Sequence, residues 1–587
     1  MKISLFIFFI FLLICNVNLG ITFSQELNDT TALSVGEVKE EVQELPQIQL
    51  QEYTIIGLAR VSLPHKIRKQ IFRNVEINWV VNSHILEKEP PFISFRFSRV
   101  KPSFFQLYEF PWFNTKLHYG SFNTMGINFN TQFKAKNILP YLSADYQRSD
   151  GHVKNAQWNS IGLQAGIHQK PNDGHLLHIG TDYIFQTKGI WGNYDIYQQD
   201  WETQTVLWKF FGKLEQEWNK VLHTEINGSY FLDDHENAFK YEDRGFDLSG
   251  RVAAYVNNTA FETIVAFHKI DLSVEDANLT RLPADSTSLE KYVSSVFTGS
   301  LNINQKINVL NIKAGVIYQQ AEEDISTSFV KKVKDNFVYP DAALSLGFLG
   351  KGNVYVRYRP AVEAFRFRNK IRLLPFIDLS NIRLVKYQSR IEGGIDLHPV
   401  RTLTLNFSLS SSRAENFPAS ITPADSLNAD FNNGGYPGWV MGTLDEVQIQ
   451  ELYGRIDWYI LPQLHLLGCA NFRQSEIRKS DSLYQDIKGN EIPYYPKISA
   501  YAKIAWNFFD AHEASVFVNY KSKRYDDLLN SISLKDYFLL NARLDIAIKK
   551  NIKFFIIGEN LLDTKYEEWK GFPARAITGI LGVEFKL

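Results

Sequence analysis

The sequence predicts an all-β protein, a large antiparallel transmembrane β-barrel of about 22 strands preceded by a short periplasmic or lumenal segment. Three observations predict it. Apolar and polar residues alternate with a period of two in segment after segment. Short turns and long connections follow one another along the chain, as in barrels with one trimmed and one elaborated end. The last strand sets Leu581, Val583, Phe585 and Leu587 on one face and Gly582, Glu584 and Lys586 on the other, which suits the closing strand of a barrel whose outside is lipid.

At the other end, Lys2 precedes an apolar run that reaches Cys15 and gives way to small and polar residues. Residues 1–24 read as a secretory signal peptide cut near Thr22-Phe23-Ser24. Its removal leaves Cys469 as the only cysteine, so no intramolecular disulfide is expected. Cys469 lies in an apolar strand pattern, where a thiol packs rather than reacts. Loss of Lys2 leaves 62 basic against 64 acidic residues, which gives no electrostatic case for nucleic acid as partner. The 43 Phe and 28 Tyr, with no later run approaching the roughly 18 apolar residues of a membrane helix, fit a single large barrel with aromatic girdles.

The clearest strands come in chain order. Met125, Ile127, Phe129, Thr131 and Phe133 oppose Gly126, Asn128 and Asn130. Leu403, Leu405, Phe407 and Leu409 oppose Thr404, Asn406 and Ser408. Ile498, Ala500, Ala502, Ile504, Trp506 and Phe508 oppose Ser499, Tyr501 and Lys503, and Phe538, Leu540, Ala542, Leu544, Ile546 and Ile548 oppose Asn541, Arg543 and Asp545. Short turns are expected at 219–220, 305–306, 351–352, 461–462, 509–511 and 549–550. Long connections are expected at 187–202, 271–290, 321–336, 413–445, 476–492 and 560–575. A sheet in lipid must close, so residues 581–587 should pair with a first strand near 116–120. Arginine at Val583, on the lipid face, should then harm assembly much more than arginine at Glu584.

Asn560-Leu561-Leu562-Asp563, Tyr566, Gly571-Phe572-Pro573 and Arg575, followed by a terminal strand ending in Phe585 and Leu587, resemble the end of TonB-dependent receptors. The terminal strand is similar to the signal read by the barrel assembly machinery, with Gly582, Phe585 and Leu587 at matching places and Ile580 departing from it. The resemblance covers residues 116–587 and implies outer-membrane lipid around the barrel of a Gram-negative bacterium. Members of that family carry a plug of well over a hundred residues in the lumen; here only residues 25–115 are available, which implies a reduced plug or none. Within them Glu52-Tyr53-Thr54-Ile55-Ile56 resembles the TonB box, the extended segment that adds a strand to the energising TonB complex, and also reads as an ordinary strand.

A lumen this wide is not filled by its own side chains. Three closures are open: a small plug from residues 45–112, a separate plug or lipoprotein partner, or long loops folded inward, above all residues 413–445. The first ranks above the second. No enzymatic constellation is found, and no cofactor is implied. Asp233-Asp234-His235-Glu236 with Glu242-Asp243 has oxygen ligands of the kind that hold calcium, but a charge run in an expected external loop is ordinarily solvated. Loop aromatics suited to ligand contact are Trp191, Tyr194, Tyr436 and Trp439, although residues near strand ends suit the interfacial belt as well. Two functions follow. One is uptake of a scarce nutrient such as a chelated metal, vitamin or oligosaccharide; the other is a structural barrel whose pore a partner fills.

Overall fold

The computed structural model describes most of residues 113–587; residues 1–112 and several stretches, among them 190–201, 277–290, 364–376, 422–438 and 480–486, lie outside the described residues. One 24-stranded sheet contains nearly every described strand. Two of its members, Ala361–Glu363 and Ile377–Leu379, are three-residue additions, and the other 22 close an antiparallel barrel. The first strand, Phe113–Gly120, pairs on one side with Thr124–Gln132 and on the other with the closing strand, Thr578–Lys586, placing Leu117 opposite Val583. Among the described residues the ladder of the first strand extends to Phe113, which pairs with Thr131.

Period-two alternation turns into two faces. In Ile498–Phe508, Ile504 is 53% exposed while neighbouring Lys503 is 6% exposed. In the closing strand Leu581 is 51% exposed and Glu584 is 3% exposed. Outward aromatics form a belt near one end, where Phe210 faces Tyr230, Tyr230 faces Phe246, and Phe267 faces Phe297 across adjacent strands. At the other end the tight turns themselves carry apolar residues, such as Val221, Val309 and Phe509, the last 87% exposed. An apolar band bounded in this way is the surface that lipid covers.

The wall also corrects the expected connections. The turn expected at 305–306 lies at 308–309, where Asn308 adopts φ 53°, a left-handed conformation asparagine tolerates. Strands Leu310–Ser326 and Val330–Phe348 run through most of the expected 321–336 loop, and Leu403–Ile421 and Trp439–Leu461 shorten the expected 413–445 loop at both ends. Beyond the belt the outward face becomes charged while pairing continues. Glu322 meets Lys334 at 2.5 Å and Asp324 meets Lys332 at 3.2 Å.

The inner face near the seam is an ion ladder. Lys503 meets Glu513 at 3.3 Å, Arg543 binds Asp545 through two contacts of 2.6 and 2.7 Å, and Glu584 lies 3.0 Å from Lys586 and 3.7 Å from Lys116. Arginine at Glu584 would add a further cation beside Lys116, Lys586, Lys553 and Arg543. Arginine at Glu584, expected from the sequence to harm assembly much less than arginine at Val583, therefore meets a cost of its own in a packed charge array. Cys469 is a free, half-buried thiol in Leu464–Lys479.

Candidate functional site

Connections at the elaborated end fold into the barrel. Ile487 and Ile492, from the connection before Ile498–Phe508, and Leu528, from the connection after His512–Lys521, pack against Ala414, Phe417, Leu444, Val447, Ile449 and Ile477 of the inner wall. Backbone carried into such an interior needs its own hydrogen-bond partners. Asn530, at φ 57°, receives the Glu491 N–H at 2.8 Å and donates to the Glu491 carbonyl at 3.0 Å. Asn490 donates to the Leu528 carbonyl at 2.9 Å, and Asp527 accepts the Ser531 N–H, the Ser531 hydroxyl and the Ile532 N–H at 3.0, 2.6 and 2.8 Å.

A second inward element follows Gly352–Tyr358. After Arg359-Pro360 the ribbon Ala361–Glu363 pairs with the start of Val385–Val400 and crosses to the inner face of Leu310–Ser326. There the Gln319 amide accepts the Val362 N–H at 2.7 Å and donates to the Val362 carbonyl at 3.1 Å. Glu323 accepts the Leu384 N–H at 2.7 Å, the Arg383 guanidinium at 3.3 Å and the Tyr292 hydroxyl at 3.0 Å. Val362 and Leu384 pack on Val296 and Ala321 beneath.

A cavity of about 600 Å³ lies between the two elements, bordered by Phe417 and Tyr495 on one side and by Val362, Glu363, Tyr387 and Arg390 on the other, with Asp247 and His268 behind. Its charges are mostly matched: Arg390 meets Glu363 at 3.0 Å, His268 meets Asp247 at 2.6 Å, and Glu392 accepts the Tyr355 hydroxyl at 2.8 Å. Arg473 stacks over the Tyr495 ring at 4.6 Å. The Arg359 guanidinium also lines the cavity and makes no hydrogen bond or ion pair among the described residues. Tyrosine rings beside a free guanidinium suit a polar ligand bearing an anionic group.

The terminal motif organises the connection from Asn560 to the closing strand. Asn560 sits at φ 50° after Ile552–Glu559 and uses each arm of its amide. Its nitrogen donates to the Thr564 and Arg575 carbonyls, both at 3.0 Å, its oxygen accepts the Thr564 N–H at 2.9 Å, and its backbone N–H reaches Asn541 at 2.9 Å. Asp563 accepts the Ile577 N–H at 3.2 Å and pairs with Lys565 at 2.9 Å; the Lys565 hydrogen bond and the Ile577 N–H hold its carboxyl below the ordinary value. Leu561 and Leu562 are exposed. The Tyr566 ring lies 4.4 Å from the Tyr537 ring, and Gly571 turns the chain at φ 80°. The Pro573 carbonyl contacts His152 at 2.8 Å, and Arg575 covers the Trp158 ring at 5.8 Å. Asn560→Ala should cost about 2–3 kcal/mol, since the backbone groups it satisfies lose their partners. Protease cleavage within 560–577 of the intact barrel checks this.

Glu568, which the sequence reading missed, binds Lys521 at 2.9 Å, Arg524 at 3.8 Å and the Tyr537 hydroxyl. Burial alone would raise its carboxyl, but Lys521, Arg524 and that hydroxyl hold it below the ordinary value. Its stabilising contribution is therefore present above the ordinary glutamate range and lost as the pH falls through the depressed value. Glu568→Gln leaves two buried cations without their anion, an expected loss of about 3–5 kcal/mol. Melting curves between pH 7 and pH 3 should show wild type converging on the variant as the pH falls.

Other expected site residues are dispersed. Glu52, Tyr53, Thr54, Ile55, Ile56, Trp191, Tyr194 and Tyr436 lie outside the described residues, and Trp439 begins the strand Trp439–Leu461. The acidic run lies not in a loop but in two paired strands, Leu222–Glu236 and Phe239–Val256, with Asp233 opposite Asp243 and Asp234 opposite Glu242. Pairing sends Asp233 and Asp243 inward and their neighbours outward, and among the described residues no group of three or more such side chains could hold a metal ion. Gly582 is packed under Phe555, while Phe585 and Leu587 face outward. Gln319, Glu323, Asn530 and Asp527 had no signal beyond the turn-forming composition around Asp526 to Asn530.

No family profile and no curated protein matches this sequence. Solved structures do. The siderophore receptor PiuA from Acinetobacter baumannii is similar with a TM-score of 0.62 and 12% identity over 82% of each chain. The ferric-catecholate import receptor Fiu from E. coli K12 is similar with a TM-score of 0.63 and 11% identity, again over 82% of each chain. The FrpB iron transporter from Neisseria meningitidis is similar with a TM-score of 0.65 and 10% identity over 82% of this chain and 83% of that one. With closure between the first and last strands already established, the described residues have the barrel fold of TonB-dependent outer-membrane receptors.

Proposed function

We propose that this protein is an outer-membrane receptor that binds a scarce nutrient at its external mouth and passes it through the lumen, with an anionic metal chelate as the ligand class. The cavity lined by Tyr387, Tyr495 and an Arg359 guanidinium unpaired among the described residues is the observation that supports this reading. Structures named as siderophore and iron receptors share the barrel, which agrees with it. The barrel assembly machinery would read Gly582, Phe585 and Leu587. Residues 52–56 would couple the receptor to the TonB complex by strand addition.

Uptake of radiolabelled ferric chelates by cells lacking and regaining this protein tests the proposal. Arg359→Ala should weaken binding by tenfold or more, as expected for loss of a charged hydrogen bond of about 1.5–3 kcal/mol. Uptake should cease when the inner membrane is de-energised. No uptake of any chelate, together with copurification of a stoichiometric partner protein, would instead establish a structural barrel.

A further inference from the structure

We infer that the barrel closes its own external mouth: the connections folded into the lumen form a fixed septum, and the cavity between them is the passage left open. This inference does not depend on what is transported.

The contacts form one unbroken chain around the mouth, from the start of the barrel through successive connections to the inner face of Leu310–Ser326. Connection 560–577 is tied to the strands at the start of the barrel by His152 on the Pro573 carbonyl and by Arg575 over Trp158. The same connection meets its neighbour where Trp569 packs on Tyr494, with ring centres 4.1 Å apart. Tyr494 in turn donates to Asp526, and Asn530 clasps Glu491 through both arms of its amide. Tyr495 then meets Phe417 at 5.8 Å, Asn416 donates to the Leu384 carbonyl at 3.2 Å, and the ribbon ends on Gln319 of the far wall. Each link joins residues distant in sequence.

The septum has the interior chemistry of a folded domain rather than that of solvated loops. Leu528, Ile487 and Ile492 are at most 2% exposed, although they belong to connections that in an open pore would face water. The Leu528 carbonyl accepts from the Asn490 amide, the Ile492 N–H donates to the Ser475 hydroxyl at 3.2 Å, and the Ile487 carbonyl accepts the Asn490 N–H at 3.1 Å. Breaking one such clasp exposes apolar surface and frees several backbone groups together, so the septum should open in large steps rather than fray.

The test is conductance of the full-length protein in planar lipid bilayers, without ligand, so that its outcome is separate from that of the uptake experiment. Wild type should pass little current and exclude solutes larger than the cavity. The double variant Leu528→Asp with Asn530→Ala should raise conductance several-fold and admit such solutes, with the barrel still resisting dissociation in detergent below boiling. If that variant does not fold, replacing residues 526–533 by a short Gly-Ser linker, which leaves every barrel strand intact, should give the same rise. Wide conductance in wild type, or unchanged conductance in a folded variant of either kind, would overturn the inference and assign closure to another part of the chain or to a partner.

Discussion

Val583→Arg is expected to stop most of the protein from reaching the folded barrel, at a cost of about 2–4 kcal/mol for a cation near the middle of the apolar band. Val583 lies between outward-facing Leu581 and Phe585, opposite Leu117 on one neighbour and Phe554 on the other. Both cross-strand partners are apolar, so neither offers the guanidinium an anion. Glu584→Arg should be harmed as well, for the separate reason that Lys116, Lys586, Lys553 and Arg543 already surround the site. The two defects are distinguishable by salt. Repulsion from Lys116 and Lys586, whose side chains are 31% and 29% exposed, is partly screened as ionic strength rises, whereas transfer of arginine into lipid is not. Refolding yields into lipid vesicles at low and high salt should therefore recover for Glu584→Arg and stay low for Val583→Arg, with Val583→Leu close to wild type. Equal salt responses would refute the facing assigned here.

The lipid-facing part of the barrel was legible in the sequence because one physical constraint governs it. A residue placed out of phase on a two-faced strand meets the wrong solvent, so Ile504 and Lys503, or Leu581 and Glu584, reveal their faces from neighbours alone. Above the belt that constraint lapses. The outward faces of Leu310–Ser326 and Val330–Phe348 are charged there, and pairing persists through Glu322 with Lys334 and Asp324 with Lys332, so the outward apolar pattern ends before the strands do. The inward elements were still less legible. Gln319 holds Val362 across 43 positions and Glu323 holds Leu384 across 61, and a glutamine or glutamate in a strand looks the same locally whether it meets water or a returning chain. The motif beginning at Asn560 was visible by resemblance, but its physical basis was not. Asn560 is needed because one amide satisfies three backbone groups at a left-handed position.

Gly582→Val should open the seam that closes the barrel, while Gly579→Ala, three residues earlier in the same strand, should be nearly neutral. A Cβ at Gly582 would lie 2.2 Å from the Phe555 ring and 2.5 Å from the Leu117 carbonyl oxygen. The ring could shift only by displacing Arg543, which stacks over it at 5.0 Å and anchors Asp545. The carbonyl belongs to the first strand, so relieving that contact means drawing the closing strand away from its partner. At Gly579 the nearest atom is the Ser121 hydroxyl at 3.8 Å, an ordinary contact. Overpacking of this kind costs about 1–3 kcal/mol, and a β-branched side chain against immovable backbone belongs at the upper end. Gly582 also matches the signal read by the assembly machinery, so a defect in cells alone would be ambiguous. Refolding of the purified chain into vesicles removes the machinery. A lower urea midpoint there for Gly582→Val, with Gly579→Ala unchanged, assigns the glycine to packing at the seam; a normal midpoint combined with failure in cells would assign it to recognition.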